Sequence, residues 1–460
     1  MSLYSALTTS VAGMGAQSTA MQNISGNIAN TSTNGFKRVD TAFVDLVSNY
    51  SADKSKQTSG SVLASSRQTN TVAGSVDASQ TTTHMSISGD GYFVVYEKIG
   101  EIDGQPIFDG TPLYTRRGDF TQDQDGYFVN EAGYYLAVIE LDDATGNPVS
   151  SVPQPTTFQE GFMAAEATTT LTYTGNLPAV PSTSDSTGSL LTGAVGYTVD
   201  PSTAGAGVVQ AQDETQFLSQ SISGGSITAY VANGESSSVQ LRWAKIADGD
   251  PSAVPPTEDT WNLFYKSDST ATGTDAKWVN VGQDYTFDAS GRMTAPTSNV
   301  TVSAMTIDGV ELGDIVLDHG GNGDGITAYA TQTGTANMNL SQDGAAAGEQ
   351  TSISIDNNGY IVANYANGKS SNMAQVILAS FDGDNYLARA SGGAFRATED
   401  SGLAILGATG SIRGSSLESS NVDIADEFSK MIISQQAYTA NTRVLSTARD
   451  MLSEVMQIIR

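Results

Sequence analysis

The 460-residue chain contains no cysteine, which excludes disulfides, thiolate metal sites and a cysteine nucleophile. It has two histidines, His84 and His319, and neither stands beside a nucleophile motif such as G-x-S-x-G. No glycine-rich phosphate loop with its lysine is present. Basic residues are scarce, 21 against 49 acidic, for a formal net charge of −28, and such a balance repels nucleic-acid phosphates and anionic lipid. No run approaches the roughly 20 consecutive apolar residues that a membrane-spanning helix needs. No Lys or Arg precedes Lys37, so the basic start of a cleavable secretory leader is missing. What remains is a packed protein long enough for two or three domains, with no catalytic, cofactor or metal site expected, no nucleic-acid partner and no membrane insertion.

The charge that is present is unevenly placed. Lys37 and Arg38 balance Asp40 and Asp45 in the first fifty residues, and residues 421–460 carry five acids and four bases, so nearly all of the excess negative charge lies between them. The middle is the solvated part, and the two ends are the parts built to touch something.

Those ends share one period. Leu3, Leu7, Val11, Met14, Met21, Ile24 and Ile28 recur at the spacing of a helix seam. Gly13, Gly15 and Gly26 lie inside this stretch, each costing about 1 kcal/mol relative to alanine, so the helix is weak alone. Residues 421–460 contain neither Gly nor Pro. They predict one long helix, N-capped by Asn421 or Asp423. Its seam reads Ile424, Phe428, Met431, Gln435, Tyr438, Thr442, Leu445, Arg449, Leu452, Met456 and Ile459, with polar interruptions of the kind that fix register and partner choice. The two stripes are expected to pair with each other and with those of neighbouring copies, as a coiled-coil-like terminal domain of residues 1–30 and 421–460.

Between the ends the pattern is β. Residues 31–84 and 411–420 read as an extended connector, folding back as a long hairpin near Gly60. Strand signals then fill 85–156, with turns at hairpin spacing. Asp123-x-x-Gly126, Asp288-x-x-Gly291 and Asp356-x-x-Gly359 repeat one turn device, in which Asp bonds nearby backbone and glycine supplies positive φ. A calcium loop is the sharper alternative at the first of these, but Thr121 and Ala132 occupy the first and last ligand positions, against the EF-hand pattern. DHGGNGDGI at 318–326 is likewise a single, displaced copy of a calcium-roll repeat. Prolines at 148, 153 and 155 mark a change of composition, and 157–345 reads as an inserted outer β domain, after which 346–410 completes the first one. The fold class expected is mainly β with α-helical termini, an inner β domain with an outer one nested in it.

The stretch NIANTSTNGFKR (27–38) after MSLYSALTTSVAGMGAQ resembles the N-terminal signature of the bacterial flagellar rod and hook protein family, with Asn27, Asn30, Gly35, Phe36 and Lys37 carrying the match. The likeness continues through FVDLV (43–47), ISGDGYFVV (87–95), YTRRGDFTQDQDGYFVNEAGYYL (114–136), ILASFDGDNYLARASGGAF (377–395) and LESSNVDIADEFSKMIISQQAYTANTRVLSTARDML (417–452). The long insertion resembles that of hook subunits, whereas rod subunits are shorter; a distal rod-type axial protein is the alternative within the family. The resemblance implies a structural subunit exported without a cleaved signal peptide by the flagellar type III apparatus, self-assembling beneath a hook cap into a curved hollow extracellular tube. That tube transmits torque as a universal joint. Its implied partners are other copies of itself, the distal rod protein, the hook cap, the hook-filament junction protein and the export gate, the last recognised through a pattern that Phe43 and Val47 match. A reading from another class is an extracellular adhesin or carbohydrate-binding β protein, with Trp243, Trp261 and Trp278 as stacking platforms.

Overall fold

A computed structural model describes residues 3–458 apart from 48–58, 103, 143–144, 160, 184–190, 192–195, 203–206, 251, 256, 321–324 and 408–409. The chain divides into two compact units. The first comprises Met1–Glu160, Thr351–Asn364 and Ser370–Arg460, and the second Gly161–Gln350 and Tyr365–Lys369.

The first unit carries the terminal helices, α1 (Leu3–Ala29) and, after a short helix α2 (Glu214–Gln220) in the second unit, α3 (Ile424–Ile458). Helix α3 starts where it does because the Asp423 carboxylate accepts the N–H groups of Ala425 (2.8 Å) and Asp426 (3.2 Å), satisfying donors that have no partner inside the helix. Helix α1 ends in tight turns and not in a left-handed cap. Asn30 and Thr31 close tight turns onto the carbonyls of Asn27 and Ile28, and the positive-φ residue comes only at Gly35 (φ 65°). An added Cβ there would lie 2.6 Å from the Arg116 carbonyl carbon, so this glycine serves a close backbone approach.

Strands β1 (Val39–Val47) and β2 (Ser59–Gln68) pair antiparallel from Val39 opposite Gln68 to Val47 opposite Ser59. Gly60, expected near the turn of the hairpin, lies inside β2. The hairpin is tied to α1, since the Asn23 amide donates to Thr41 Oγ1 (2.9 Å) and accepts from the Ser66 hydroxyl (3.1 Å).

The β part of this unit is antiparallel around the strand Tyr92–Ile102, which pairs with Leu113–Thr115, Tyr134–Glu140 and Leu378–Ser380. Side chains alternate across a strand, and here both faces are covered. Phe93 and Val95 enter one core with Met85, Ile87, Phe120 and Leu136, while Tyr92 and Val94 enter another with Tyr114, Phe381 and Phe395. That is why YFVV is an unbroken apolar run.

The second unit packs the Thr170–Asn176 sheet, which includes Val300–Ile307 and Val310–Asp318, against a sheet built on Ser236–Ala247, Asp259–Lys266 and Ala276–Phe287. Trp243 and Trp261 fill the core between them, and Trp278 lies on the far face of the second sheet with Phe217 of α2. All three are buried, which removes the stacking platforms that the adhesin reading required. The Trp243 indole donates to Tyr173 Oη (2.7 Å), and Tyr173 donates to the Gly224 carbonyl (2.7 Å), so the one polar atom of that ring is satisfied.

The three Asp-x-x-Gly turns are built alike. At each, one carboxylate oxygen takes two backbone N–H groups, at Asp125 and Tyr127, Ser290 and Arg292, Asn358 and Tyr360, and the glycine has φ between 78° and 90°. The carboxylate is committed to its own turn, and among the described residues no cluster of three His, Asp or Glu could hold a metal ion.

Candidate assembly site at the terminal helices

Helices α1 and α3 run antiparallel, with Asn27 meeting Glu427, Gly13 meeting Asn441 and Met14 meeting Thr442. The buried positions on α1 are Ser10, Ala16, Ala20, Ile24 and Asn27, and on α3 Glu427, Ser434 and Ala448. Small side chains let the two backbones approach closely.

This corrects the expected contact in one respect. The stripe of large apolar residues does not form the seam inside the single chain. On α3 the inner positions fall at 427, 434 and 448, one residue away from the expected 428, 435 and 449, and one residue on a helix is a rotation of about 100°. Consequently Ile424, Phe428, Tyr438, Leu452 and Met456 are exposed, as are Ile432 and Ile433, while Met431 and Leu445 are half-buried. On α1 Ile24 is buried, Leu7, Met14, Met21 and Ile28 are half-buried, and Val11 is exposed. The Leu3 and Val47 side chains and residue Ile459 lie outside what the structure describes. The physical cause is that Gly, Ala and Ser allow a closer helix pair than Leu and Phe would, so the large groups are turned outward. A lone helix pair that hides its small residues and shows its large ones has an unmet demand for apolar contact.

At the base of the pair the signature residues form a polar knot. Asn27 donates to the Val39 carbonyl (3.0 Å), accepts the Val39 N–H (2.8 Å) and donates to Glu427 Oε2 (2.9 Å). Lys430 completes Glu427 at 2.7 Å. Asn30 donates to the Gly26 carbonyl (2.8 Å), and the Gly35 N–H donates to the Glu418 carbonyl (2.7 Å). Lys37 is buried, its ammonium donating to Glu418 Oε1 (2.5 Å) and the Val72 carbonyl (2.8 Å). Arg116 reaches Glu418 Oε2 at 3.3 Å, and the Gly74 N–H reaches Oε1 at 2.9 Å. Burial draws the Lys37 ammonium below the ordinary lysine value, a shift that Glu418 opposes and Arg116 adds to. Phe36 lies under the Arg389 guanidinium at 4.9 Å, a cation–π contact, and that guanidinium also donates to the Lys37 carbonyl. Asn421 accepts the Arg38 N–H (2.7 Å) and donates to the Val72 carbonyl (3.0 Å). The knot thus fastens the end of α1, the start of α3 and the hairpin to the β part of the unit.

Glu418, Arg116, Arg389 and Asn421 were not legible as functional from sequence. Their partners are hundreds of residues away, and the one available signal was that Lys37 and Arg38 are the first charges of an otherwise neutral opening. Phe43 stands exposed on β1. His319 is buried with its Nε2 2.8 Å from Tyr285 Oη, and burial lowers its pKa to about 4, so it is a neutral core group near pH 7. Ser79 and His84 touch at 2.8 Å, but the Ser79 hydroxyl also accepts the Thr81 N–H, so the pair closes a turn.

The site is thus a terminal helix pair with an outward apolar face, knotted to a β body. Residues 413–458 match the family model described as flagellar basal body rod FlgEFG protein C-terminal. The whole chain aligns with the flagellar hook protein FlgE of Brucella suis, at 28% identity over 466 residues covering 100% of both chains. The FlgE proteins of Rhizobium meliloti (29%, 100% of both) and Salmonella typhimurium (25%, 97% of this chain and 98% of that one) are similar to it as well. A solved structure, the Helicobacter pylori flagellar hook protein FlgE2, aligns with a TM-score of 0.49 at 15% identity, over 73% of this chain and 99% of that one. The relatives that the chain matches over nearly its whole length are flagellar hook proteins.

Proposed function

We propose that the chain is the structural subunit of the bacterial flagellar hook, polymerising into a curved hollow tube that joins rod to filament and transmits torque. The observation that carries this reading is the outward apolar face of α3, from Ile424 to Met456, in a chain whose full length aligns with hook proteins. Burying such a face at about 25 cal/mol per Å² is the free-energy source for assembly, and its natural cover is the same face of sister subunits. The terminal residues Leu3, Leu7, Val11, Met14, Met21, Ile24 and Ile28, with those of α3, form the inner wall of the tube. The partners are other copies of the chain, the distal rod protein, the hook cap and the hook-filament junction protein. Export by the type III apparatus without a cleaved leader uses Phe43 and Val47 on β1 as the gate-recognition pattern. The role is structural, not catalytic.

Replacing Leu445 and Leu452 by Asp tests this. The variant is expected to keep its β cores and lose assembly, so that electron microscopy shows tubes for the unaltered chain and none for the variant. Tubes of unchanged number from the variant overturn the reading.

A further inference from the structure

Half of the chain's sulfur is gathered at its ends. Of the 12 methionines, Met1, Met14, Met21, Met431, Met451 and Met456 lie within residues 1–30 and 421–460. With no cysteine present, the thioether is the only sulfur an oxidant can meet. The fold then ranks these groups. Met451 (55% exposed) and Met456 (71%) are the exposed methionines among the described residues. Met14, Met21 and Met431 are half-buried, and the Met14 sulfur already accepts the Thr442 hydroxyl at 3.5 Å, which occupies a lone pair. Met85 and Met305 are fully buried, one in a core of each unit. Oxidation of sulfur follows exposure, so the same ranking is the expected order of reaction.

The two exposed sulfurs also sit where a polar atom does most harm. Both belong to the outward apolar face of α3, Met456 one turn from exposed Leu452 and Met451 two turns from exposed Val444. A sulfoxide replaces a flexible apolar group by a polar one, and burying that oxygen without a hydrogen-bond donor opposes any contact the face would make. We propose that Met451 and Met456 are an oxidative modification site, and that hydrogen peroxide acting on the unassembled chain converts them to sulfoxides that block its assembly. In each step the sulfur lone pair attacks one peroxide oxygen, and an S–O bond forms as the O–O bond breaks. The departing hydroxide takes the proton shed by the transferred oxygen, so one thioether and one peroxide give one sulfoxide and one water. The inference rests on the reading of the chain as a self-assembling subunit. It makes the oxidant act on free chains and spare those whose α3 face is already covered.

Trypsin releases both sites in one peptide, residues 450–460, which holds no other methionine. After the unassembled, unaltered chain meets a limiting amount of hydrogen peroxide, mass spectrometry is expected to find an added oxygen on Met451 and Met456 first. Met14, Met21 and Met431 follow, and Met85 and Met305 remain thioethers. Oxidation of Met85 or Met305 as early as that of Met456 refutes the site. The oxidised chain is expected to need at least about a tenfold higher concentration to form tubes. The two methionine sulfoxide reductases, one for each epimer, are expected to return it to the untreated value. Met451→Leu, Met456→Leu keeps the face apolar and is expected to assemble equally with and without peroxide. If the treated variant fails as the treated unaltered chain does, another residue is responsible and the proposal falls. Unchanged assembly of a chain carrying both sulfoxides also overturns it. An untreated chain that never forms tubes overturns the hook reading instead, and the order of oxidation still decides the site.

Discussion

Glu418→Gln is the most direct probe of the knot beneath the helices. The substitution keeps the size of the side chain and removes its charge, leaving Lys37 and Arg116 buried together without a counter-ion. Removing one partner of a buried ion pair costs about 3–5 kcal/mol, a large share of the 5–15 kcal/mol by which domains are stable. The protein supplies its own two-channel assay. All three tryptophans lie in the second unit, so intrinsic tryptophan fluorescence follows that unit alone, while the helical circular dichroism signal is dominated by α1 and α3 of the first. The expected result is a denaturant midpoint lowered in the helical signal and unchanged in fluorescence. Adding Lys37→Met to Glu418→Gln removes the orphaned ammonium and is expected to recover part of the loss, since Arg116 keeps the Gly89 carbonyl at 2.8 Å and the face of Tyr92. A loss under about 1 kcal/mol in the single variant, the range of a solvated surface pair, refutes the claim that the triad holds the helices to the β body.

Two further outcomes follow from single sites. His319 has its pKa depressed from 6.5 to about 4 by burial, so the unfolded chain takes up a proton that the folded one refuses; stability of the second unit is full above about pH 6.5 and falls by roughly 3 kcal/mol as the pH drops to about 4. His319→Gln flattens that dependence in fluorescence-detected unfolding, and an unaltered chain equally stable at pH 7 and 4.5 contradicts it. Gly35→Ala places a Cβ against the Arg116 backbone at a left-handed residue, where strain alone costs about 1–2 kcal/mol; the helical melt is expected to move down by at least that amount, and an unchanged melt rules out the proposed close approach.

Local chemistry was legible in the sequence, and long-range packing was not. The Asp-x-x-Gly turns, the Asp423 cap and the two terminal helices depend on neighbours within a few residues, and the structure shows each where the residues point. The inner seam was misplaced because large apolar residues are ordinarily taken as the buried side, whereas here Gly13, Ala16, Ala20 and Ser434 hold the contact. The tryptophans could face inward or outward on strands of either pattern, and only the second sheet decided it. Lys37 and Glu418 are separated by 381 positions, and no local pattern announces a partner at that distance.

The helix pair is pinned at its base by Asn27, Glu427 and the knot below them, and toward its other end the described buried contacts are mainly glycine, alanine and serine. Interlocked leucines would resist axial slip, because each must climb out of its socket before moving, but a shallow relief of hydrogens and methyl groups presents no such barrier. The pair can therefore change its axial offset by small increments with its base held fixed, which is the motion a bent shaft demands of every subunit once per revolution as it passes from the long outer arc to the short inner one.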